Sequence, residues 1–329
     1  MSPLTAPARA FINRFQGGFP IVGRPFRGVA ARLGMTETDL IQMLRRLLDE
    51  GLLSRFGPLY DASRLGGSVT LAALAVPEPD FERVAGLVNA LPAVAHNYRR
   101  EHALNMWFVV ASERPEGVAE CLSTIAGLTG LQVYNLPKLH EFYLGLWLEL
   151  DAAGRVDTVP VPLAQAAAPA GPLSPLQQRI VAATQAGLPM VAEPYAQLAA
   201  ELDLSLEGVT GALDDMLASG IIRRIGAVPN HYRLGLRGNG MTVWDVPDER
   251  VVELGERIGR LDFVSHCYQR PRHPGVWPYN LFAMVHGRDR EAVLDKAERL
   301  RLALGDAVRA HDVLFSSAVL KKTGLRLAA

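Results

Sequence analysis

The sequence predicts an α+β protein made of two copies of one unit, each a winged helix-turn-helix followed by a ferredoxin-like βαββαβ domain. Three observations carry this reading. Residues 19–66 align with residues 188–235 at one constant offset and without a gap. Within each copy the apolar period changes from helical to extended. Between the copies, residues 151–175 are rich in Ala, Pro and Val with little periodicity, which is the composition of a linker.

The alignment is detailed. Phe19-Pro20-Ile21-Val22 matches Leu188-Pro189-Met190-Val191, and Pro25, Gly51 and Gly57 match Pro194, Gly220 and Gly226. Beyond a one-residue insertion Val76-Pro77 pairs with Val246-Pro247, His96 with His266 and Tyr98 with Tyr268; five further residues precede the match of Asn105 with Asn280. The expected domains are helix-turn-helix units at 1–66 and 176–236, ferredoxin-like domains at 67–150 and 237–329, and the linker at 151–175.

Each element has a local reason. Residues 25–33 and 36–48 form two short amphipathic helices, the second capped by Thr36, striped by Leu40, Met43, Leu44, Leu47 and Leu48, and ended by Gly51. In the second copy Pro194 suits a first helical turn, Ser205 is the cap, and Val209, Leu213, Met216 and Leu217 form the stripe. Residues 52–65 and 221–234 follow as hairpin-like wings with Gly and Pro. Then come a strand (69–76; 241–246), a helix (81–91; 249–261), a strand pair (93–101 with 104–111; 263–270 with 279–285), a helix (115–128; 290–304) and a final strand. Such an open sheet has helices on one face and needs a partner on the other, which two copies can supply face to face.

Composition excludes several classes. In 329 residues Lys plus Arg equals Asp plus Glu at 34 each, so bulk electrostatic attraction to nucleic acid is absent. The second helix of the motif carries Glu207, Asp214 and Asp215 with no Lys or Arg in the second copy. In the first, Glu37, Asp39, Asp49 and Glu50 outnumber Arg45 and Arg46, so specific DNA binding is not expected. Cys121 and Cys267 lie in different halves and suggest neither a disulfide framework nor a zinc site. No signal peptide and no apolar run of about 20 residues is seen, which makes a cytoplasmic protein without membrane contact the expectation.

Polar and aromatic residues collect on the second and third strands of each small domain. Strand period two places His96, Tyr98 and Arg100 on one face, and His266, Tyr268 and Arg270 on the matching face. His102, Arg272 and His273 fall in the hairpins. Arg99, Asn105, Trp107, Tyr279 and Asn280 lie beside these positions, and Lys321 and Lys322 on the last strand could pair with acidic ligand groups, a solvated strand end being the structural alternative. His231 stands in the second wing, where the first copy has the stretch Asp61-Ala62-Ser63. Histidine can transfer protons or ligate iron, arginine can clamp carboxylates, and Tyr and Trp offer flat walls. A structural reading of each residue is also available: hydrogen-bonded His, packed aromatics, solvated Arg. Retention of His-x-Tyr-x-Arg in both copies favours a site, one suited to a large, flat, polycarboxylated ligand.

The residues that carry a family resemblance are His96-Asn97-Tyr98-Arg99-Arg100-Glu101-His102 with Asn105-Met106-Trp107-Phe108 in the first half. In the second they are Pro229-Asn230-His231-Tyr232-Arg233, Ser265-His266-Cys267-Tyr268 and Trp277-Pro278-Tyr279-Asn280. In architecture each half resembles the Lrp/AsnC-type regulators. More closely, both resemble the siroheme decarboxylases, the first half the D-type and the second the L-type subunit, here fused. The resemblance implies conversion of siroheme to 12,18-didecarboxysiroheme in haem d1 biosynthesis, two acetates losing carbon dioxide to become methyl groups. It implies siroheme as the partner, no cofactor beyond the substrate's own iron, and a pseudo-dimer of halves open to further homo-oligomer assembly.

Under that reading the catalytic candidates are His96, His102, Arg100, His231, His266, Arg270, Arg272 and His273. Those for binding substrate are Tyr98, Arg99, Asn105, Trp107, Tyr268, Tyr279, Asn280 and Lys321. The siroheme iron is a candidate for ligation by His96 or His266, and the sequence does not divide proton donor from iron ligand or say which half works. A tetrapyrrole-responsive transcription regulator and a non-catalytic tetrapyrrole carrier are the alternative classes.

Overall fold

A computed structural model describes residues 4–61, 64–161 and 173–322. In the first copy α1 (Ala6–Arg14), α2 (Pro25–Arg32) and α3 (Glu37–Asp49) lead into β1 (Leu53–Tyr60). Then follow β2 (Ser68–Leu74), α4 (Phe81–Ala90), β3 (Val94–Arg100), β4 (Met106–Ser112), α5 (Gly117–Thr129) and β5 (Tyr134–Pro137). Three more strands, β6 (His140–Leu144), β7 (Trp147–Leu150) and β8 (Val156–Val159), close this half. The second copy opens with α6 (Pro175–Thr184), α7 (Pro194–Glu201), α8 (Leu206–Ala218), β9 (Ile222–Pro229) and the one-turn α9 (His231–Leu234). It ends with β10 (Gly238–Asp245), α10 (Val251–Gly259), β11 (Val264–Gln269), β12 (Leu281–Gly287), α11 (Arg290–Leu304) and β13 (Ala310–Lys322).

The caps form where the sequence puts them. Thr36 and Ser205 accept from the backbone N–H of Asp39 at 3.1 Å and of Gly208 at 3.0 Å, holding the first turns of α3 and α8. Leu40, Met43, Leu44 and Leu47 are buried, as are Val209, Leu213 and Met216, whereas Leu217 is 38% exposed and lies outside the stripe. Both helix-turn-helix units share one apolar core, in which Phe11, Phe26 and Leu44 meet Tyr195, Leu198 and Leu213.

The wings differ from expectation. Neither is a hairpin: β1 pairs antiparallel with β9 of the other copy, and Gly57 faces Gly226 at the centre of the pair. Both glycines are required there. A Cβ on Gly226 would meet the Phe15 carbonyl oxygen at 2.4 Å, and one on Gly57, whose φ is +146°, would meet the Leu188 nitrogen at 2.8 Å. The linker also starts later than its composition suggests. Strand β8 pairs with β7, and buried Val156 and Leu150 join the helical core, while Asn13 and Gln16 of the first copy bind the backbone of Leu150 and Leu148. The remainder of the predicted linker lies largely outside the described residues.

Each small domain has strand order 4-1-3-2, and the two join edge to edge. The result is a nine-stranded sheet ordered β5-β2-β4-β3-β13-β10-β12-β11-β6. Its two edge strands, β5 and β6, are consecutive in the chain and separated only by Lys138 and Leu139, so the sheet must curl until its edges approach. Helices α4 and α5 cover the outside of one half, α10 and α11 the other. Inside, Ala73, Trp107 and Leu136 pack against Val243, Trp277, Phe282 and Leu314, so the halves do cover each other's inner face. No helix of the described residues is long and apolar enough to cross a membrane.

Candidate active site

Strand alternation splits the polar residues of β3 and β11 between two faces. Inward on β3, the His96 and Tyr98 rings stand 6.1 Å apart and the Arg100 guanidinium 5.7 Å from the Tyr98 ring. Strand β11 repeats the ladder, with 6.0 Å between His266 and Tyr268 and 5.2 Å from Arg270 to Tyr268. The residues between them turn toward the helices. Asn97 donates to Asn89 of α4, Arg99 lies over Phe81 and pairs with Glu78, and Cys267 is buried beside α10.

Two guanidiniums are sequestered with incomplete pairing. Arg100 donates to the carbonyl of Leu314 at 2.6 Å and Arg270 to that of Leu136, each reaching into the other half; the buried Nε of each has no partner. Burial pulls both down to about 10. The titratable groups that act on Arg100 are Tyr98 and Tyr232, neither a carboxylate. A buried cation without a counter-ion costs several kcal/mol, so an anion entering this interior gains what the fold has forgone.

Histidines converge from the second half. Asn230 caps α9 and Gly235, at φ +113°, ends it, which fixes His231 and Tyr232 above the sheet end. The His231 ring lies 4.3 Å from Tyr232 and 5.0 Å from His286, and its buried Nε2 has no partner. Burial first, then Lys322 and His266, pull His231 down to about 4, so it is neutral at ordinary pH. The Lys322 ammonium stands 5.0 Å from the Tyr232 ring, and Tyr232 acts on both Tyr98 and Arg100. His266, held at about 4 chiefly by burial, is hydrogen-bonded through Ser265 to His286, and His286 to Asn239. An unbroken run of side chains thus extends from Arg100 to Arg270.

The two ends of this run differ. Beneath the first wing Arg223 bonds Asp61 at 2.7 Å and Glu141 at 3.1 Å, Lys138 bonds Glu141 at 2.5 Å, and Lys138 stands 5.7 Å from the Tyr268 ring. Beneath the second wing stand Arg100, Lys322, Tyr98, Tyr232 and His231, with no carboxylate acting on Arg100, His231 or Lys322. That end can accept carboxylates, hold an aromatic ring and move a proton. Among the described residues no cluster of three or more His, Cys, Asp or Glu side chains is arranged to hold a metal ion by itself.

Residues 64–143 and 233–321 match the AsnC-like ligand binding domain, and residues 8–53 and 177–223 match the siroheme decarboxylase NirDL-like HTH domain. The chain is 33% identical over 317 residues to the siroheme decarboxylase NirDL subunit of Paracoccus denitrificans, covering 96% of each chain. The chain belongs to the siroheme decarboxylase family. It is also 57% identical over 153 residues to the NirH subunit of the Pseudomonas aeruginosa siroheme decarboxylase, which spans 46% of this chain and 90% of that protein. A crystal structure of a siroheme decarboxylase NirDL in complex with an iron-uroporphyrin III analogue matches with TM-score 0.69 and 30% identity, covering 96% of this chain and 92% of that one.

Within this siroheme decarboxylase fold, His96, Tyr98, Arg100, His231, His266, Tyr268 and Arg270 lie on one continuous inner surface. Other sequence candidates have structural partners elsewhere. Arg272 is bound by Asp245 at 2.7 Å, Asp248 at 3.2 Å and the carbonyls of Val246 and Pro278, which makes it a hairpin clasp. His273 bonds the Asn135 carbonyl, and His102 accepts from the Leu104 N–H and faces Asp312 at 4.0 Å. Asn105 and Asn280 each bridge both backbone groups of Val76 and Val246, closing the equivalent strand ends. Trp107 is core between the sheets, with Trp277 at 5.0 Å, and Tyr279 packs on Trp277. Lys321 donates to the Asn89 and Leu91 carbonyls at the end of α4, whereas Lys322, its neighbour, faces Tyr232. His286 and Asn239 are site residues that the sequence did not single out; Tyr232 and Ser265 entered only as part of the family resemblance, and Lys322 only beside Lys321 as a possible partner of acidic groups. Which of the two lysines faces the site was hidden by a register shift between Val319 and Lys321.

Proposed function

We propose that this chain decarboxylates siroheme, removing carbon dioxide from two ring-attached acetates, and that the working end lies beneath the second wing. The observation that carries the reading is Arg100, buried on the inner surface without a carboxylate and within reach of neutral, half-buried His231 through Tyr232. Arg100 and Lys322 hold carboxylates of the macrocycle, and Tyr98 and Tyr232 wall its flat face. The carbon–carbon bond to the reacting carboxylate breaks and its electron pair passes into the conjugated ring. The methylene carbon then takes one proton to become a methyl group. Exclusion of water from the curled interior favours loss of the desolvated carboxylate, and neutral His231 relays the proton to the ring edge, gaining one from water on one ring nitrogen as it gives up the hydrogen on the other. Ligation of the substrate's iron is assigned to His96 or His266. The reaction needs no cofactor beyond that iron.

Relatives named as separate subunits support a further part of the reading, in which the two halves act as an internal pair and further copies associate. A cytoplasmic site of action suits the two buried free thiols, Cys121 and Cys267. The test is anaerobic incubation with siroheme followed by mass spectrometry. Successive loss of two carbon dioxide equivalents is expected; recovery of unchanged siroheme overturns the proposal.

A further inference from the structure

His286 has no part in the chemistry above, yet it is 2% exposed and sits in a hydrogen-bonded line that ends on His266. The line starts from an amide whose orientation is determined. Asn239 Nδ2 donates to the carbonyls of Leu236 at 3.2 Å and Arg237 at 3.3 Å, so its Oδ1 is the atom turned to His286 Nδ1, 2.5 Å away. A flipped amide would set an oxygen against two carbonyl oxygens. Since Oδ1 only accepts, His286 Nδ1 carries the hydrogen.

Burial holds His286 neutral, so its Nε2 is bare and accepts from the Ser265 hydroxyl at 2.8 Å. Ser265 Oγ also lies 3.3 Å from the Met284 carbonyl, but the bare Nε2 at 2.8 Å is the nearer acceptor and needs a donor; with its one hydrogen spent there, Ser265 Oγ accepts from His266 Nδ1, at 2.7 Å. The remaining nitrogen of His266, Nε2, is then left with a lone pair and no hydrogen.

We propose that Asn239, His286 and Ser265 are positioning residues that lock His266 as its Nδ1–H tautomer, so that Nε2 is presented as an electron-pair donor and not as a proton donor. This divides the labour between two histidines: His266 ligates a metal or accepts a hydrogen bond, and proton relay falls to neutral His231. The lock belongs to the second half alone. At the matching positions of the first half Ala95 replaces Ser265 and Ala111 replaces His286, and Val69 stands where Asn239 does. His96 is therefore without this device. The role given to the lone pair rests on the proposed siroheme site; the tautomer does not.

The test has two readouts. Long-range proton–nitrogen correlation NMR on the ligand-free chain, with labelled histidine, reports which His266 nitrogen bears hydrogen. Hydrogen on Nδ1 is expected, and hydrogen on Nε2 overturns the proposal whatever siroheme does. Ser265→Ala, which installs the residue the first half already tolerates, should give a tautomer mixture and reduce turnover of siroheme about 10- to 100-fold, the usual cost of losing such an outer hydrogen bond. Ser265→Thr keeps the hydroxyl and should restore both readouts. An unchanged tautomer in Ser265→Ala overturns the lock. Hydrogen on Nδ1 in a wild-type chain that leaves siroheme intact upholds the lock and removes the proposed function.

Discussion

The two ends of the inner surface come from one ancestral ladder and have been filled in opposite ways. Beneath the first wing Arg223, Asp61, Glu141 and Lys138 neutralise one another around Tyr268. Beneath the second, Arg100 and Lys322 stand with Tyr98, Tyr232 and His231 and no carboxylate answers them. The lesson is that a retained motif locates a surface, while counter-charges decide what that surface does. An ion pair completed within the protein closes a site; one left half-built waits for a ligand.

The largest effect should come from exchanging the arginines. Arg100→Met is expected to lower kcat/KM for siroheme about 1000-fold, the scale of about 4 kcal/mol set by a lost charge-assisted clamp in a dry site, whereas Arg270→Met should cost under about tenfold. Arg270, though itself without a carboxylate, stands at the end where Glu141 and Asp61 would repel an entering anion. Equal losses in steady-state assays would break the contrast. Thermal denaturation should show Arg100→Met no less stable than the parent, because it removes a buried cation that lacks a counter-ion.

Next in size, His231→Gln should reduce kcat about 100-fold with little change in KM, as expected for a group that moves a proton and does not bind. A fall in affinity alone would make His231 a binding residue. Acid should act on the same end through stability. His231 and His266 are held at about 4 in the fold against about 6.5 for a free imidazole, so the unfolded chain binds more protons between those values. Stability is therefore full above about pH 6.5 and falls as pH drops toward 4, by up to roughly 3 kcal/mol per histidine. Urea midpoints across this range, compared with those of His231→Phe, measure the share of His231.

The smallest effect belongs to the closed end. Arg223→Met leaves Asp61 and Glu141 without their shared cation and should lower stability by about 1–2 kcal/mol, since the pair is only partly buried, while siroheme turnover stays within about threefold. A large loss of turnover would show that this end takes part.

Much of this organisation was legible. The repeat kept register through Gly57 and Gly226 because no side chain fits where the copies cross, and the inward ladder followed from strand period. What escaped was pairing between copies. Two wings written as hairpins bond each other, and a hairpin sequence does not reveal which strand will become its neighbour. Arg272 and His273 looked reactive by residue type, but their partners lie in other elements, Asp245 and Asp248 for one and the Asn135 carbonyl for the other. His286 was invisible for the opposite reason: its meaning lies wholly in Asn239 and Ser265, which are distant in sequence.

Strand β13 joins the halves in one stroke. Its first residues pair with β10 of its own copy and its last with β3 of the other. Because it follows every strand it pairs with, its docking must wait until residues 310–322 have been made. The first copy is synthesised complete in its own βαββαβ order, yet its strand β3 must wait for a strand more than 200 residues further along the chain before the neighbour that completes it exists. A nascent chain halted before residue 310 would expose an unprotected sheet edge of the kind that recruits stray strands. Joining two such units in one polypeptide thus guarantees their pairing and their stoichiometry, and places the decisive step after both copies have been made.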